Sequence, residues 1–144
     1  MKRIARSAIV EHSAAEMYAL VEDIEAYPTF LPRCKAAVVH ERRPGVTKAT
    51  LTVGVGALSQ SFTTLNENRP GEAIDMRLVE GPFRRFGARW RFVPLSVDAS
   101  RIEFSLQYEF SGRALGRLLA PLFDGIADSM VEAFVQRAAA VYES

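Results

Sequence analysis

The side chains that could act as nucleophile or base are few in this sequence. It contains two histidines, His12 and His40, and one cysteine, Cys34. A hydrolase or transferase needs a nucleophile, a base and a group that orients the base. His12 comes at the predicted end of a strand and His40 lies inside one, so neither is favoured for this role. The sequence therefore predicts no catalytic residue.

Cys34 and the carboxylates of Asp124 and Asp128 offer two weaker possibilities. Arg33 and Lys35 flank Cys34 and would lower the pKa of its thiol if they lie close, although a small buried side chain is the favoured interpretation. Asp124 and Asp128 are one helical turn apart, and the pKa values of such a pair can be pushed apart. On a helix with a clear apolar stripe, they are more simply flank residues facing water. No cluster of His, Cys and carboxylate side chains has ligand spacing, so no metal site is predicted.

Basic side chains form two groups whose charge would suit a polyanion. The first group is Arg84, Arg85, Arg89 and Arg91. These could touch RNA phosphates, but the next strand carries Glu103 and Glu109, and a basic strand beside an acidic one is largely neutralised. The second group could meet either RNA phosphates or anionic lipid headgroups. Its members are Arg33, Lys35, Arg113 and Arg117.

The composition is that of an ordinary globular protein. With 144 residues, 49% of them apolar, the chain is long enough for one core, and a single domain over residues 1–144 is expected. The net charge of +1 gives no overall attraction to polyanions. The single cysteine and the lack of an apolar signal sequence after Met1 predict a cytoplasmic protein. No window approaches the ~20 apolar residues of a spanning helix, so membrane contact is expected to be peripheral.

The first part of the chain predicts a strand, a helix and an abrupt stop. Residues 3–11 are rich in Ile, Val and Ala, and Ser13 with Glu16 forms a capping box before an apolar periodic segment. The helix should end before Tyr27, because proline lacks the N–H that a helix needs and restricts the residue before it. Tyr27 and Leu31 both precede a proline and are expected to be extended or turning. The apolar side chains of the loop between the two prolines are then expected to hold that loop against the core.

The middle of the chain alternates like an antiparallel sheet. Strands are predicted at residues 35–42, 47–55, 60–66, 73–79, 86–92 and 102–110, separated by Gly and Pro turn signals. The last two alternate so regularly that they predict a hairpin turning at residues 96–100, with one wet and one dry face. The cross-strand pairs that this register predicts are Trp90 with Phe104, Arg91 with Glu103, and Arg85 with Glu109.

From about Arg113 the apolar period changes to 3.6, which predicts a long terminal helix. Pro121 should kink this helix or mark its true start. A curved antiparallel sheet needs an element to cover its dry face, and the terminal helix is the only one long and apolar enough. The predicted fold class is α+β.

Four segments resemble those of a known family: the helix end and proline loop at 21–34, Gly81-Pro82-Phe83, the strand 90–95, and the helix 123–142. In this order the sequence resembles the coenzyme Q-binding and ribosome-association-toxin group of the START-like, polyketide-cyclase-like (SRPBCC) superfamily. The resemblance implies a helix-grip fold, with six or seven antiparallel strands wrapped around the terminal helix and one or two short helices after the first strand. One departure is Arg33, where members of this group usually carry Trp.

The resemblance also implies a ligand cavity between the sheet and the terminal helix. From the residues alone, a solid core of interdigitating side chains is an equal alternative. The interior is rich in large side chains and poor in polar groups, which suits a long apolar ligand. Tyr108 is expected to offer its hydroxyl to a quinone carbonyl or to the backbone. The predicted ligand-binding residues are Phe30, Leu31, Phe83, Trp90, Phe92, Phe104, Tyr108, Phe123, Met130 and Phe134.

The resemblance implies three functions. The first is binding and chaperoning of a ubiquinone-like isoprenoid quinone for respiration, with no covalent cofactor, in the cytoplasm or peripherally at the inner membrane. The second is a ribosome-association toxin that binds the large ribosomal subunit and blocks subunit joining. The third, a cyclase or dehydrase, is the weakest because no acid–base pair is evident on the dry face. A monomer is expected, and the kind of quinone and its tail length stay open.

Overall fold

The computed structural model describes residues 1–143. It contains seven strands, two α-helices and one short 3-10 helix. The strands are β1 (Lys2–Val10), β2 (Cys34–Arg43), β3 (Val46–Val55), β4 (Leu58–Arg69), β5 (Ala73–Glu80), β6 (Phe83–Ser96) and β7 (Ala99–Phe110). The helices are α1 (Ala14–Glu22), the 3-10 helix (Ile24–Thr29) and α2 (Arg113–Tyr142).

The seven strands form one antiparallel sheet in the order β1-β7-β6-β5-β4-β3-β2. Helix α2 packs against β1 and β7 and covers the apolar face of the sheet. The predicted α+β class and helix-grip architecture are therefore confirmed. The chain needs this arrangement because the sheet has one apolar face and only α2 is long enough to cover it.

The predicted hairpin register is confirmed. Trp90 lies opposite Phe104 with both side chains buried. The wet-face pairs, Arg91 with Glu103 and Arg85 with Glu109, are also opposite each other. Strict alternation fixed this register, because a one-residue slip would turn the apolar side chains of one strand to the wet face.

The capping box at the start of α1 is present. The Ser13 hydroxyl accepts a hydrogen bond from the Glu16 backbone N–H at 3.1 Å, and the Glu16 carboxylate accepts one from the Ser13 N–H at 3.0 Å. The expectation that Tyr27 is extended or turning needs correction, because the 3-10 helix runs through Tyr27 and Pro28. The fixed φ of proline suits a 3-10 helix, and the Tyr27 hydroxyl holds the segment by donating to the Val21 carbonyl.

The idea that Pro121 marks the start of the terminal helix is wrong. Helix α2 begins at Arg113 and continues through Pro121, whose ring lies exposed. A proline two turns into a helix removes one N–H, and the long apolar stripe beyond it compensates for that loss.

The strand register sorts the connections between two ends of the sheet. One end holds the starts of β1 and β2, the β3–β4 and β5–β6 turns and the start of α2. The opposite end holds the link from β1 to α1, the other three turns and the end of α2, where Tyr142 donates to the Glu16 carbonyl at 2.8 Å.

Candidate functional site

An apolar cavity of about 60 Å³ lies between α2 and the inner face of the sheet. Its lining is hydrocarbon apart from the sulfur of two methionines, the indole N–H of Trp90 and the hydroxyl of Tyr27, which already bonds to the backbone. The lining residues are Tyr27, Leu31, Leu51, Val53, Phe62, Met76, Phe86, Ala88, Trp90, Phe104, Leu106, Phe123, Ile126, Ala127 and Met130.

Two periodicities aim these side chains at one space. Alternation along β6 turns Phe86, Ala88 and Trp90 inward. On β7 the same alternation turns Phe104 and Leu106 inward. On α2, residues 123, 126, 127 and 130 share one face because they are three, four and seven positions apart. Ala88 and Ala127 are small, so they leave space that larger side chains would fill.

The cavity is closed to any sizeable ligand in this conformation. An engineered cavity that holds benzene has a volume of roughly 150 Å³, so 60 Å³ is too small for a quinone ring. Met76, Phe86 and Met130 on its lining are only half-buried. Methionine side chains adapt readily to new shapes, so these positions are where the space can widen. A ligand must move side chains or α2 to enter.

The structure brings five of the ten predicted ligand-binding residues into the cavity lining. They are Leu31, Trp90, Phe104, Phe123 and Met130. The other five lie beside the cavity, and their ligand contacts stay a prediction. They are Phe30, Phe83, Phe92, Tyr108 and Phe134.

The residues outside the lining pack against those within it. Phe134 is fully buried, with its ring 5.2 Å from those of Phe30 and Trp90. Phe92 stacks on Trp90, and Phe83 lies edge-on to Phe123 at 5.0 Å between ring centres. These contacts stabilise the walls of the cavity, since aromatic pairs of this geometry contribute beyond area burial.

Sequence reasoning did not assign the remaining lining residues to the site. The small ones, Ala88 and Ala127, were overlooked because large aromatic side chains received the weight. The available signal was alternation along each strand. Phe86 and Ala88 lie an even number of positions from Trp90 and share its inward face, and Leu106 shares that of Phe104 in the same way.

Tyr108 points its hydroxyl at α2, where it donates a hydrogen bond to the Asp124 carboxylate. Burial, with the nearby Asp124 carboxylate, raises the pKa of Tyr108 above its ordinary value. Lys2 lies 3.9 Å from the same carboxylate. The hydroxyl is thus engaged by a carboxylate rather than by backbone, and a ligand carbonyl would have to share or replace that contact.

Asp124 and Asp128 fasten α2 to the edge strand β1. Asp124 meets Lys2, and Asp128 accepts a hydrogen bond from Arg6 at 2.6 Å. Their place on the flank of the apolar stripe is as predicted, but they pair with β1 rather than only with water. The two carboxylates have separate cationic partners, so they join two elements of the fold and do not form one shared acidic site.

The histidines and the cysteine lie apart from one another. His12 Nε2 lies 2.7 Å from Glu143 at the end of α2, and His40 bonds to the Thr50 hydroxyl at 2.6 Å. Cys34 is buried, and burial raises the pKa of its thiol. Among residues 1–143, no three His, Cys, Asp or Glu side chains are grouped to hold a metal ion, and no helix is long and apolar enough to cross a membrane.

Arg33 marks the edge of the site between the proline loop and α2. It has a left-handed backbone with φ of 67°, and its carbonyl accepts a hydrogen bond from the Gly54 N–H at 2.9 Å. Its guanidinium lies against Gly125, where any Cβ would collide with it. Leu31 and Ile126, which flank this contact in sequence, both line the cavity. The cation therefore sits at the rim of the cavity.

The β6 arginines are neutralised only in part, and by other partners than predicted. Arg89 bonds to Asp75 on β5, and Arg84 reaches Glu109 at 3.4 Å. Glu103 pairs with Arg101 on its own strand at 3.1 Å. Among residues 1–143, Arg85 and Arg91 therefore form no ion pair, although they lie opposite glutamates in the register.

This chain is similar in sequence and in fold to several known proteins. The family described as polyketide cyclase/dehydrase and lipid transport matches residues 10–135. The ribosome association toxin RatA of Escherichia coli K12 is 40% identical over 144 residues, covering 100% of this chain and 91% of RatA. The mitochondrial coenzyme Q-binding protein COQ10 homolog B of Xenopus laevis is 29% identical over 98% of this chain and 60% of its own. A START superfamily protein of Mycobacterium smegmatis superposes with a TM-score of 0.78 at 25% identity, covering 94% of this chain and 95% of that one.

Proposed function

The chain belongs to the polyketide cyclase/dehydrase and lipid transport family, and we propose that it binds a lipid with a long apolar tail beneath α2. The observation that carries this proposal is the cavity lining. Its one hydroxyl, on Tyr27, already donates to a backbone carbonyl, so the lining offers a ligand hydrocarbon and aromatic surface. Such a surface favours a molecule with few hydrogen-bonding groups.

An isoprenoid quinone is the ligand class that best fits this proposal. Its flat ring can lie among the rings of Trp90, Phe104 and Phe123, which line the cavity together. Its branched tail needs only apolar contact. The 29% identity with a protein named for coenzyme Q binding supports the same class.

Binding requires the cavity to open from its closed volume of 60 Å³. Helix α2 is held to β1 by the pairs of Lys2 with Asp124 and Arg6 with Asp128, which are at least one-third exposed and therefore weak. The opposite rim is the proline loop, where Arg33 rests on Gly125. Moving the loop away from α2 separates the Phe30 ring from Phe134 and Arg137, but it breaks no ion pair of Arg33 among residues 1–143. We propose this rim as the entrance.

We propose a role as carrier rather than catalyst. Catalysis of cyclisation or dehydration needs a positioned acid and base in the cavity. The only titratable group in the lining is Tyr27, and burial raises the pKa of that phenol far above neutrality. It therefore stays protonated and bound to the Val21 carbonyl.

Native mass spectrometry of protein purified from its own host, followed by organic extraction, tests this proposal. The expected result is one isoprenoid quinone per chain. Ala88→Met, which fills the cavity, should lower occupancy by about tenfold, the effect of a small volume change in an apolar pocket. The matched control is Leu95→Met, at an exposed position near the end of β6, which should leave occupancy unchanged. Protein that is empty and also refuses added quinone would overturn the proposal.

A second candidate function is association with the large ribosomal subunit. It is favoured by the 40% identity with RatA, which extends over the whole of this chain. Co-sedimentation with purified large subunits would test it, and binding should fall steeply with salt if phosphates are contacted. Ala88→Met should leave such binding unchanged, so the two functions are separable.

A further inference from the structure

The two ends of the sheet differ in charge. The end where α2 begins, which we call the basic end, carries seven basic side chains against the acidic Glu80, Glu109 and Asp124. The basic side chains are Lys2, Arg33, Lys35, Arg84, Arg85, Arg113 and Arg117. The net charge of the whole chain is only +1, so the remainder is acidic. A local field of this kind acts on a partner even when the net charge is small.

Most of these charges are free to meet a partner. Arg33, Arg85, Arg113 and Arg117 are exposed and form no ion pair with any of residues 1–143. Lys35 is exposed and donates to the Gly56 carbonyl at 2.8 Å, which leaves its charge unpaired within the same residues. An external anion can therefore replace water around these groups without breaking an internal pair.

Exposed apolar side chains lie among the same charges. Leu118 is 57% exposed, Val55 is 54% exposed and Met1 is 49% exposed. On α2, the exposed face of the first turns carries Arg113 and Arg117 beside Ala114, Leu118 and Pro121, and the helix has no acidic residue before Asp124. A helix face that mixes arginines with apolar side chains suits the interface of an anionic bilayer.

The same stretch of α2 also lines the cavity. Phe123 and Ile126 point inward while Arg117 and Leu118 point to solvent, so a single element joins the lining to the exposed face. Arg33 belongs to the basic end and rests on Gly125 at the rim of the cavity. A lipid leaving a bilayer at this surface would meet the rim directly.

We propose that the basic end docks on a bilayer that contains anionic lipid, with Arg113 and Arg117 at the headgroups and Leu118 in the interface. This inference rests on the proposed lipid-binding function, because docking would place the cavity beside its ligand's source. The exposed apolar side chains favour a bilayer over RNA as the partner. A bilayer buries these side chains, whereas a phosphate backbone offers them no apolar contact.

Vesicle sedimentation tests the inference with phosphatidylcholine vesicles, either pure or mixed with phosphatidylglycerol. Wild-type protein should bind the anionic vesicles and not the neutral ones. Arg113→Glu with Arg117→Glu should weaken that binding by at least about 30-fold, from roughly 1 kcal/mol for each basic side chain. Leu118→Ser should weaken it by about tenfold through lost apolar burial. The matched control, Arg69→Glu with Arg77→Glu, makes the same charge change away from the basic end and should bind nearly as wild type.

Equal binding to both vesicle types, no binding, or an equal loss in the control would overturn the inference. A double variant that keeps vesicle binding but loses the large ribosomal subunit would also overturn it and assign the surface to RNA. Binding of a short-tailed quinone in solution is measured in parallel. Quinone binding without docking defeats only the inference, and docking without quinone binding defeats only the proposed function.

Discussion

Arg33 lies across Gly125 of α2, and the contact exists only because position 125 has no side chain. The arginine holds a left-handed backbone that few residues adopt, so the loop pays a conformational cost to place its guanidinium on the helix. This contact closes the rim of the apolar cavity between Leu31 and Ile126. For the proposed lipid to enter, α2 and the proline loop must separate at this contact, and substitutions can distinguish the roles of the two elements.

Gly125→Ala should raise the free energy of unfolding by up to about 1 kcal/mol, because alanine is the better helix former. The obstructing atoms are the tip of a flexible arginine, which can swing into solvent. Gly81→Ala is the contrasting variant, since its Cβ would lie 2.8 Å from Cβ of buried Phe62, and it should lose about 1–3 kcal/mol. Urea unfolding measures both, and a clear loss for Gly125→Ala would show that Arg33 cannot move.

Arg42 should stabilise the 3-10 helix against β2. Its guanidinium donates to the Glu22 carboxylate at 3.0 Å and to both oxygens of Glu25 at 2.9 and 3.1 Å. Arg42→Met should cost about 1 kcal/mol, a modest value because the groups are partly exposed. Arg43→Met, which removes only an exposed pair with Glu41 on the same strand, should cost less than about 0.5 kcal/mol.

The pair of Arg42 and Glu25 should make the free energy of unfolding depend on pH in the acid range. The hydrogen bond from Arg42 lowers the pKa of Glu25, so the contribution of this pair is fully present above the ordinary glutamate pKa and is lost as pH falls through the lowered pKa of the folded state. In urea unfolding at neutral and at acid pH, Arg42→Met should therefore differ from wild type more at neutral pH than at acid pH, where only the bond to the Glu22 carbonyl remains. An equal difference at both pH values would mean that packing by the arginine stem, not charge, is responsible.

Buried tyrosines should make the protein labile to alkali. Burial raises the pKa of Tyr27 and Tyr108 in the folded state, while unfolded tyrosine ionises near ~10. The unfolded chain therefore binds fewer protons above that pH, and the free energy of unfolding should fall as pH rises through it. Tyr27→Phe should be less stable at neutral pH, having lost the bond to Val21, but should show a shallower alkaline slope. An unchanged slope would contradict the assignment.

Cys34 should react slowly with iodoacetamide in the folded protein. Its side chain is buried and its thiol pKa is raised by that burial, so thiolate is scarce near neutral pH. Unfolding in urea should make labelling fast. Rapid labelling of the folded protein at neutral pH would instead indicate that Arg33 and Lys35 activate the thiol.

Much of the fold followed from periodicity, as the pairing of Trp90 with Phe104 shows. Such pairs are predictable because alternation and burial are local properties of the sequence. The contact of Arg33 with Gly125 and the bond of Tyr108 to Asp124 were not predictable, because each joins segments whose spacing depends on how α2 sits on the sheet. The size of the cavity depends on the same packing, so the sequence left a solid core and a cavity equally open.

The most direct test uses Trp90, the only tryptophan of the chain, which lines the cavity and is 2% exposed. Its fluorescence is followed while a short-tailed ubiquinone is added, with the Ala88→Met variant as the filled-cavity control. Saturable, stoichiometric quenching is expected in wild type, and weaker quenching in the variant. Quenching that rises linearly without saturation, or equally in both proteins, would contradict the claim that a lipid occupies this cavity.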